Sequence, residues 1–272
     1  MIYFSMGYWV IGLTLIVSVA GAACGLACIR QSTKSVTARF RLVWLFVAAS
    51  SIGGVGVALS VFVSMLGFEV KGGQIRYDTT LTTLFSALSG FVVFAALVIA
   101  GKTLSWWRIT LGALVMAAGL GTVHLLLLSA IRVRGTIDRG LVSIIAVYVI
   151  AALMSGLLLW FMLWAQSVPV LMAGSLAYAI MVTGMHYAGL TGVTAHLDPA
   201  AVPPPGDELF NFFVPFFIIG SLSLAIPITA ILVAPDRREA RQQSATVDPD
   251  LAHSPSLAVA SSQSGPRSVL PH

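Results

Sequence analysis

Seven long apolar stretches alternate with short polar connections along the 272 residues: 7–29, 42–66, 79–101, 109–131, 140–165, 168–192 and 209–234. None of them contains Asp, Glu, Lys or Arg. Each reaches the roughly 20 residues that a helix needs to cross a bilayer. The runs are too long, and too free of period-2 alternation, for the strands of a membrane barrel. In lipid a helix satisfies its backbone polar groups within one segment. The pattern therefore predicts an all-α polytopic membrane protein with seven transmembrane helices and no strands.

The polar punctuation repeats. Asp78, Asp138 and Asp198 stand sixty residues apart, each just before an apolar run, in Tyr77-Asp78-Thr79, Ile137-Asp138-Arg139 and Leu197-Asp198-Pro199. A fixed period of this kind marks one supersecondary unit used several times. Three helical hairpins, at about 40–101, 107–166 and 167–234, follow an N-terminal helix. The aspartates are expected to cap the returning helices, where an acceptor and a negative charge suit the helix N-terminus. The outward helices carry Gly53-Gly54-Val55-Gly56, Gly119-Leu120-Gly121 and Thr183-Gly184. Small residues let helix backbones approach closely in lipid, so these are expected to be packing positions. The third outer loop contains Pro203-Pro204-Pro205-Gly206, which cannot be helical and is expected to form a partial lid.

Composition agrees with the pattern. The chain is 58% hydrophobic and only 9% charged, against about 25% charged in soluble domains. The net charge of +5 does not point to nucleic acid, because the basic residues cluster at segment ends as in other multi-pass proteins. One set of loops holds Arg30, Lys34, Arg39, Arg41, Lys102, Arg108, Arg237, Arg238 and Arg241; the other holds Lys71, Arg76, Arg132, Arg134 and Arg139. The positive-inside bias then puts the N-terminus outside, the C-terminus in the cytoplasm and the three aspartates on the outer face of the inner membrane. The membrane domain is expected to span 1–234. Residues 235–272, rich in Ser, Ala, Pro and Gln, read as a disordered cytoplasmic tail without an output domain of its own. Cys24 and Cys28 share one face of the first helix and are read as small apolar packing residues.

Ionisable side chains are rare inside a membrane and mark function when they occur. His124 and His186 sit sixty-two residues apart, near the outer ends of the second and third outward helices. Aligning those ends matches Val61 with both histidines, and Met65 with Leu128 and Leu190. Imidazole and thioether are borderline-to-soft ligands, and thioether sulfur favours Cu(I). Positions four apart share a helix face, so Met65, His124 and His186 are candidates for one metal centre. Met185 projects about 100° from His186 and is a poorer ligand. Tyr187 reads either as a hydrogen-bonding group or as an interfacial anchor. The alternative for each histidine is a neutral imidazole bonded between helices, and for Met65 a core residue. His196 reads as a solvated loop residue; His253 and His272 fall in the tail. Catalytic carboxylate pairs, nucleophile triads and phosphate loops are not found, so no enzyme is expected.

Met185-His186-Tyr187 resembles the signature of the MHYT family of bacterial seven-helix membrane sensors, and the resemblance extends over about residues 7–234. In that family each repeat reads Met-His-Tyr or Met-His-Phe and, after two further residues, Met. This chain keeps the histidine in two repeats and the trailing methionine in one. The resemblance implies copper held by His124, His186, Met65 and Met185, and a diatomic gas (O2, CO or NO) as ligand. It also implies signalling through a cytoplasmic partner. Copper handling or transport, and a relative whose metal site has been lost, are the alternatives.

Overall fold

The computed structural model describes residues 2–101, 105–164 and 167–233. The expected tail, with His253 and His272, lies outside the described residues. Seven helices are long and apolar enough to cross a membrane: Trp9–Lys34, Ala38–Met65, Thr79–Ala100, Trp106–Ser129, Leu141–Trp164, Val168–Thr191 and Leu209–Val233. They are called the first to seventh helices below. Local chemistry sets several of their ends. The Thr37 hydroxyl accepts from the Phe40 amide at the start of the second helix. Proline occupies the first turn of the sixth, where its missing N–H costs nothing. Gly101, at φ 73°, ends the third. Exposed Trp106 and Trp107 stand at one end of the bundle, and Tyr8 and Trp9 start the first helix at the other. Amphipathic rings gather at both interfaces of a bilayer.

The second helix is irregular. Residues Ser50–Leu59 form a π-helix, and this stretch contains Gly53, Gly54 and Gly56, the residues least committed to an α-helix. Neighbouring helices hold it through its carbonyls. The Ser18 hydroxyl donates to Gly56 O at 2.8 Å, and the Ser89 hydroxyl donates to Gly53 O at 2.7 Å. The packing role expected of the glycines holds at several positions. A Cβ on Gly53 would lie 2.6 Å from Ser89 O, and one on Gly121 would lie 2.7 Å from the Tyr148 ring. It fails at Gly184 and Gly54, where a Cβ would meet nothing within 4 Å.

Contrary to expectation, strands are present. They lie at the edges of the apolar runs or between them, at the end of the bundle where the three repeat loops emerge. Strand β1 (Ile75–Tyr77) pairs antiparallel with β2 (Ile131–Val133), and β3 (Gly135–Arg139) with β4 (Val193–Leu197). Tyr77 and Asp207 exchange both backbone hydrogen bonds at 2.9 Å. The three loops are thus stitched to one another, which fixes the ends of the helices below them. The repeat is visible in the bonding itself. Asp78 N donates to Ala130 O at 3.0 Å, and sixty-two residues later Gly140 N donates to Gly192 O at 2.9 Å.

The aspartates divide their roles. Asp78 caps the third helix, its Oδ1 accepting from the Leu81 amide at 3.1 Å, and Arg132 lies 3.3 Å from Oδ2. Asp138 does not cap; it is consumed by the β3–β4 ladder and faces His196 Nε2 at 3.4 Å. Asp198 accepts from Ala200 N at 2.8 Å in a turn far ahead of the seventh helix, whose repeat loop is longer. The Leu81 amide, and after it Arg132, hold the Asp78 carboxyl below the ordinary carboxylate range. A depressed folded-state pKa gives stability that is complete above the unfolded value of about 3.9 and is lost as the pH falls below it. Asp78→Asn keeps a capping acceptor but loses the charge. Melting temperature against pH is expected to fall less steeply below about pH 4 in this variant than in the wild type.

The buried interior forms two apolar clusters. One holds Cys24, Cys28, Ile52, Met116, Met154, Tyr178 and Met185; the other, nearer the strands, holds Val61, Phe62, Met65, Val123, Leu128, Leu190 and Phe212. The two cysteines are buried and form no disulfide, and Cys24 Sγ accepts from the Ser51 hydroxyl at 3.7 Å. The seventh helix is the least embedded, with 6% of its most apolar window buried. It leans on the second helix through Phe212 and Phe216, whose rings meet Phe62 edge-on at 5.4 and 5.2 Å.

Candidate metal centre

His124 lies in the fourth helix and His186 in the sixth, each on the stripe that faces inward. Their accessibilities are 0% and 1%. The two ring centroids stand 5.4 Å apart with the planes at 84°. The repeat brings them together: the fourth and sixth helices hold equivalent places in successive hairpins, and the paired loops tie their ends. The fifth helix braces the arrangement, its Ser143 hydroxyl donating to Ala188 O at 2.8 Å and Gly189 O at 3.0 Å.

All four imidazole nitrogens of the pair are buried and have no hydrogen-bond partner. Neither ring is hydrogen-bonded to a neighbouring helix, the arrangement expected of a neutral imidazole kept for packing. A neutral imidazole carries one donor and one acceptor nitrogen, and a buried polar atom left without a partner costs about 1–3 kcal/mol. Two such rings side by side form a donor set that a metal ion could satisfy. The Tyr187 hydroxyl adds to it. That ring lies 5.4 Å from His186, and its hydroxyl oxygen is buried near the Ser64 hydroxyl.

The two methionines part company. Met65 is buried at 2% accessibility with Leu128 and Leu190, the positions matched to it in the sequence. Met185 is buried in the other cluster, away from these three. His196 is exposed and occupied by Asp138. Among the described residues, no group of three or more His, Cys, Asp or Glu converges on one point. The chemistry on hand is therefore two imidazoles with a thioether and a phenol as neighbours in the chain, a soft, neutral set that suits copper better than magnesium or calcium.

Gly189 was not singled out by the sequence. A Cβ there would lie 2.8 Å from His124 Nε2 and 3.1 Å from Leu128 Cδ1, so the bare backbone makes the space in which the His124 ring sits. Its position one turn beyond His186 on the inward stripe was the available signal. Gly189→Ala is expected to displace His124 and to lower copper affinity at least tenfold while the helical circular dichroism is kept. Copper titration of the purified variant checks this.

The seven apolar helices and buried polar pair define a multi-pass membrane protein. Residues 54–113 match the family model described as MHYT, bacterial signalling protein N terminal repeat. The matched stretch runs from the π-helix into the fourth helix and contains Met65 but neither histidine. The chain is also similar to the bifunctional diguanylate cyclase/cyclic di-GMP phosphodiesterase MucR of Pseudomonas aeruginosa. The identity is 28% over 211 residues, covering 75% of this chain and 30% of the relative. The chain therefore spans about a third of the relative it matches. No solved structure matches it.

Proposed function

We propose that this protein is a membrane sensor that holds copper between His124 and His186, near the end of the bundle expected to face outward from the inner membrane. The observation that carries this reading is the buried pair of imidazoles, 5.4 Å apart, with none of their nitrogens hydrogen-bonded. Met65 is the third candidate ligand. Copper bound there supplies a coordination position for a diatomic gas such as O2, CO or NO. The residues supply the rest. Burial at 0% and 1% accessibility keeps bulk water from the pair, and Tyr187 offers a hydroxyl beside it. A change in the spacing of the two rings moves the fourth helix against the sixth, and the braced loops pass that movement to their neighbours. Signal leaves through a cytoplasmic partner; the similarity to a cyclic di-GMP enzyme supports an output of that kind.

The test is spectroscopic. Carbon monoxide added to the copper(I)-loaded protein in detergent is expected to give a copper-carbonyl infrared band, and His186→Ala is expected to abolish it. A copper-loaded wild type that gives no band with carbon monoxide and no optical change with nitric oxide or oxygen contradicts the sensing role, whatever its metal content.

A further inference from the structure

A second site lies beyond the histidine pair, at the strand-bearing end. A cleft of 380 Å³ opens between β2–β3 and the proline-rich loop. Its walls include Ser129, Arg132, Ile137, Arg139, Val202 and Pro204. No carboxylate lines it. Arg132 is shared with Asp78 at 3.3 Å, but Arg139 makes no ion pair and no side-chain hydrogen bond among the described residues. The remaining walls are apolar or small. Ligand pockets begin at about 300 Å³, whereas one water occupies only about 30 Å³ of liquid. A bare inorganic ion would leave most of this cleft unfilled.

We propose that the cleft binds a small organic anion, with its carboxylate or phosphate on Arg139 and Arg132 and a short apolar body against Ile137, Val202 and Pro204. Guanidinium groups favour such oxyanions through paired, charge-assisted hydrogen bonds. Partial burial of Arg139 already disfavours its charge, and a bound anion relieves that cost. The site does not depend on the metal reading, although it adjoins the same helix: Ser129 follows His124 by five residues, about 7.5 Å along the helix axis.

The experiment uses the full chain, copper-free, in nanodiscs of phosphatidylcholine, with saturation-transfer NMR of benzoate and benzyl alcohol, and inorganic phosphate titrated as a competitor of benzoate. Benzoate is expected to bind, inorganic phosphate to bind more weakly, and benzyl alcohol, which has the same ring without the charge, to bind at least tenfold more weakly. Arg139→Gln is expected to weaken benzoate by ten- to a hundredfold, and Arg139→Lys by less. Equal binding of benzyl alcohol and benzoate, or an unchanged Arg139→Gln, overturns the proposal. The melting temperature of each variant separates loss of the site from loss of the fold. Nanodiscs containing phosphatidic acid identify the source of the anion. Displacement of benzoate from the wild type, and not from Arg139→Gln, assigns the site to a lipid headgroup; undiminished binding assigns it to a soluble anion.

Discussion

His186→Leu is expected to lose its copper and, in copper-free form, to melt at a higher temperature than the copper-free wild type. The same holds for His124→Leu. Each substitution replaces a buried side chain whose two ring nitrogens have no partner with an apolar one of similar volume. Removing such groups recovers desolvation costs of about 1–3 kcal/mol each. The residues flanking them, Val123 and Leu127 on the fourth helix and Met185 and Leu190 on the sixth, are already apolar and buried, so leucine meets a compatible environment. A histidine kept only for packing predicts the reverse pattern, a variant that is less stable and binds as much metal as before. The two readouts together separate a functional pair from a structural one. Metal analysis and a thermal melt of the same samples provide both, with His196→Ala, a change at an exposed side chain, as the control.

The second large effect is expected at Gly21. A Cβ there would lie 2.7 Å from Gly56 Cα and 2.7 Å from Ser51 O. Both obstacles are backbone, so no side chain can swing aside. Gly21→Ala must push the first helix off the π-helical part of the second, which also lengthens the Ser18–Gly56 hydrogen bond. Overpacking of this kind costs about 1–3 kcal/mol, and a weakened buried hydrogen bond adds about 1 kcal/mol. Gly12, on the same helix, is the internal comparison. A Cβ there meets nothing within 4 Å, so Gly12→Ala is expected to stabilise by up to about 1 kcal/mol through helix propensity. Equilibrium unfolding of both variants in mixed detergent checks the contrast, and equal effects at the two glycines would contradict the packing described here.

The seven helices were legible because twenty uncharged apolar residues in lipid have one way to satisfy their backbone. The histidine pair was legible for a related reason. A repeat places equivalent residues on equivalent faces, and His124 and His186 occupy the same register as the Ala130–Asp78 and Gly192–Gly140 loop bonds. What lay outside helical periodicity was not readable. The strands are three to five residues long, too short for an alternating pattern to stand out between hydrophobic runs. Asp138 resembles Asp78 in its spacing, but its fate is set by pairing with Thr194, a contact between distant segments. The glycine-rich stretch at 53–56 signalled close packing, yet nothing in it distinguishes a π-helix from a tightly packed α-helix. The π-helix ends at Leu59, so Val61 to Met65 keeps the α-helical register, and only the glycine-rich turns before them depart from it.

The central claim is that two imidazoles from different repeats share one copper ion. X-ray absorption at the copper edge, on protein purified with stoichiometric copper(I), tests it most directly. The account predicts imidazole scattering from two histidines in the wild type, and no bound copper in the His124→Leu/His186→Leu double variant. A double variant that retains its copper, or a wild-type spectrum without imidazole scattering, would contradict it.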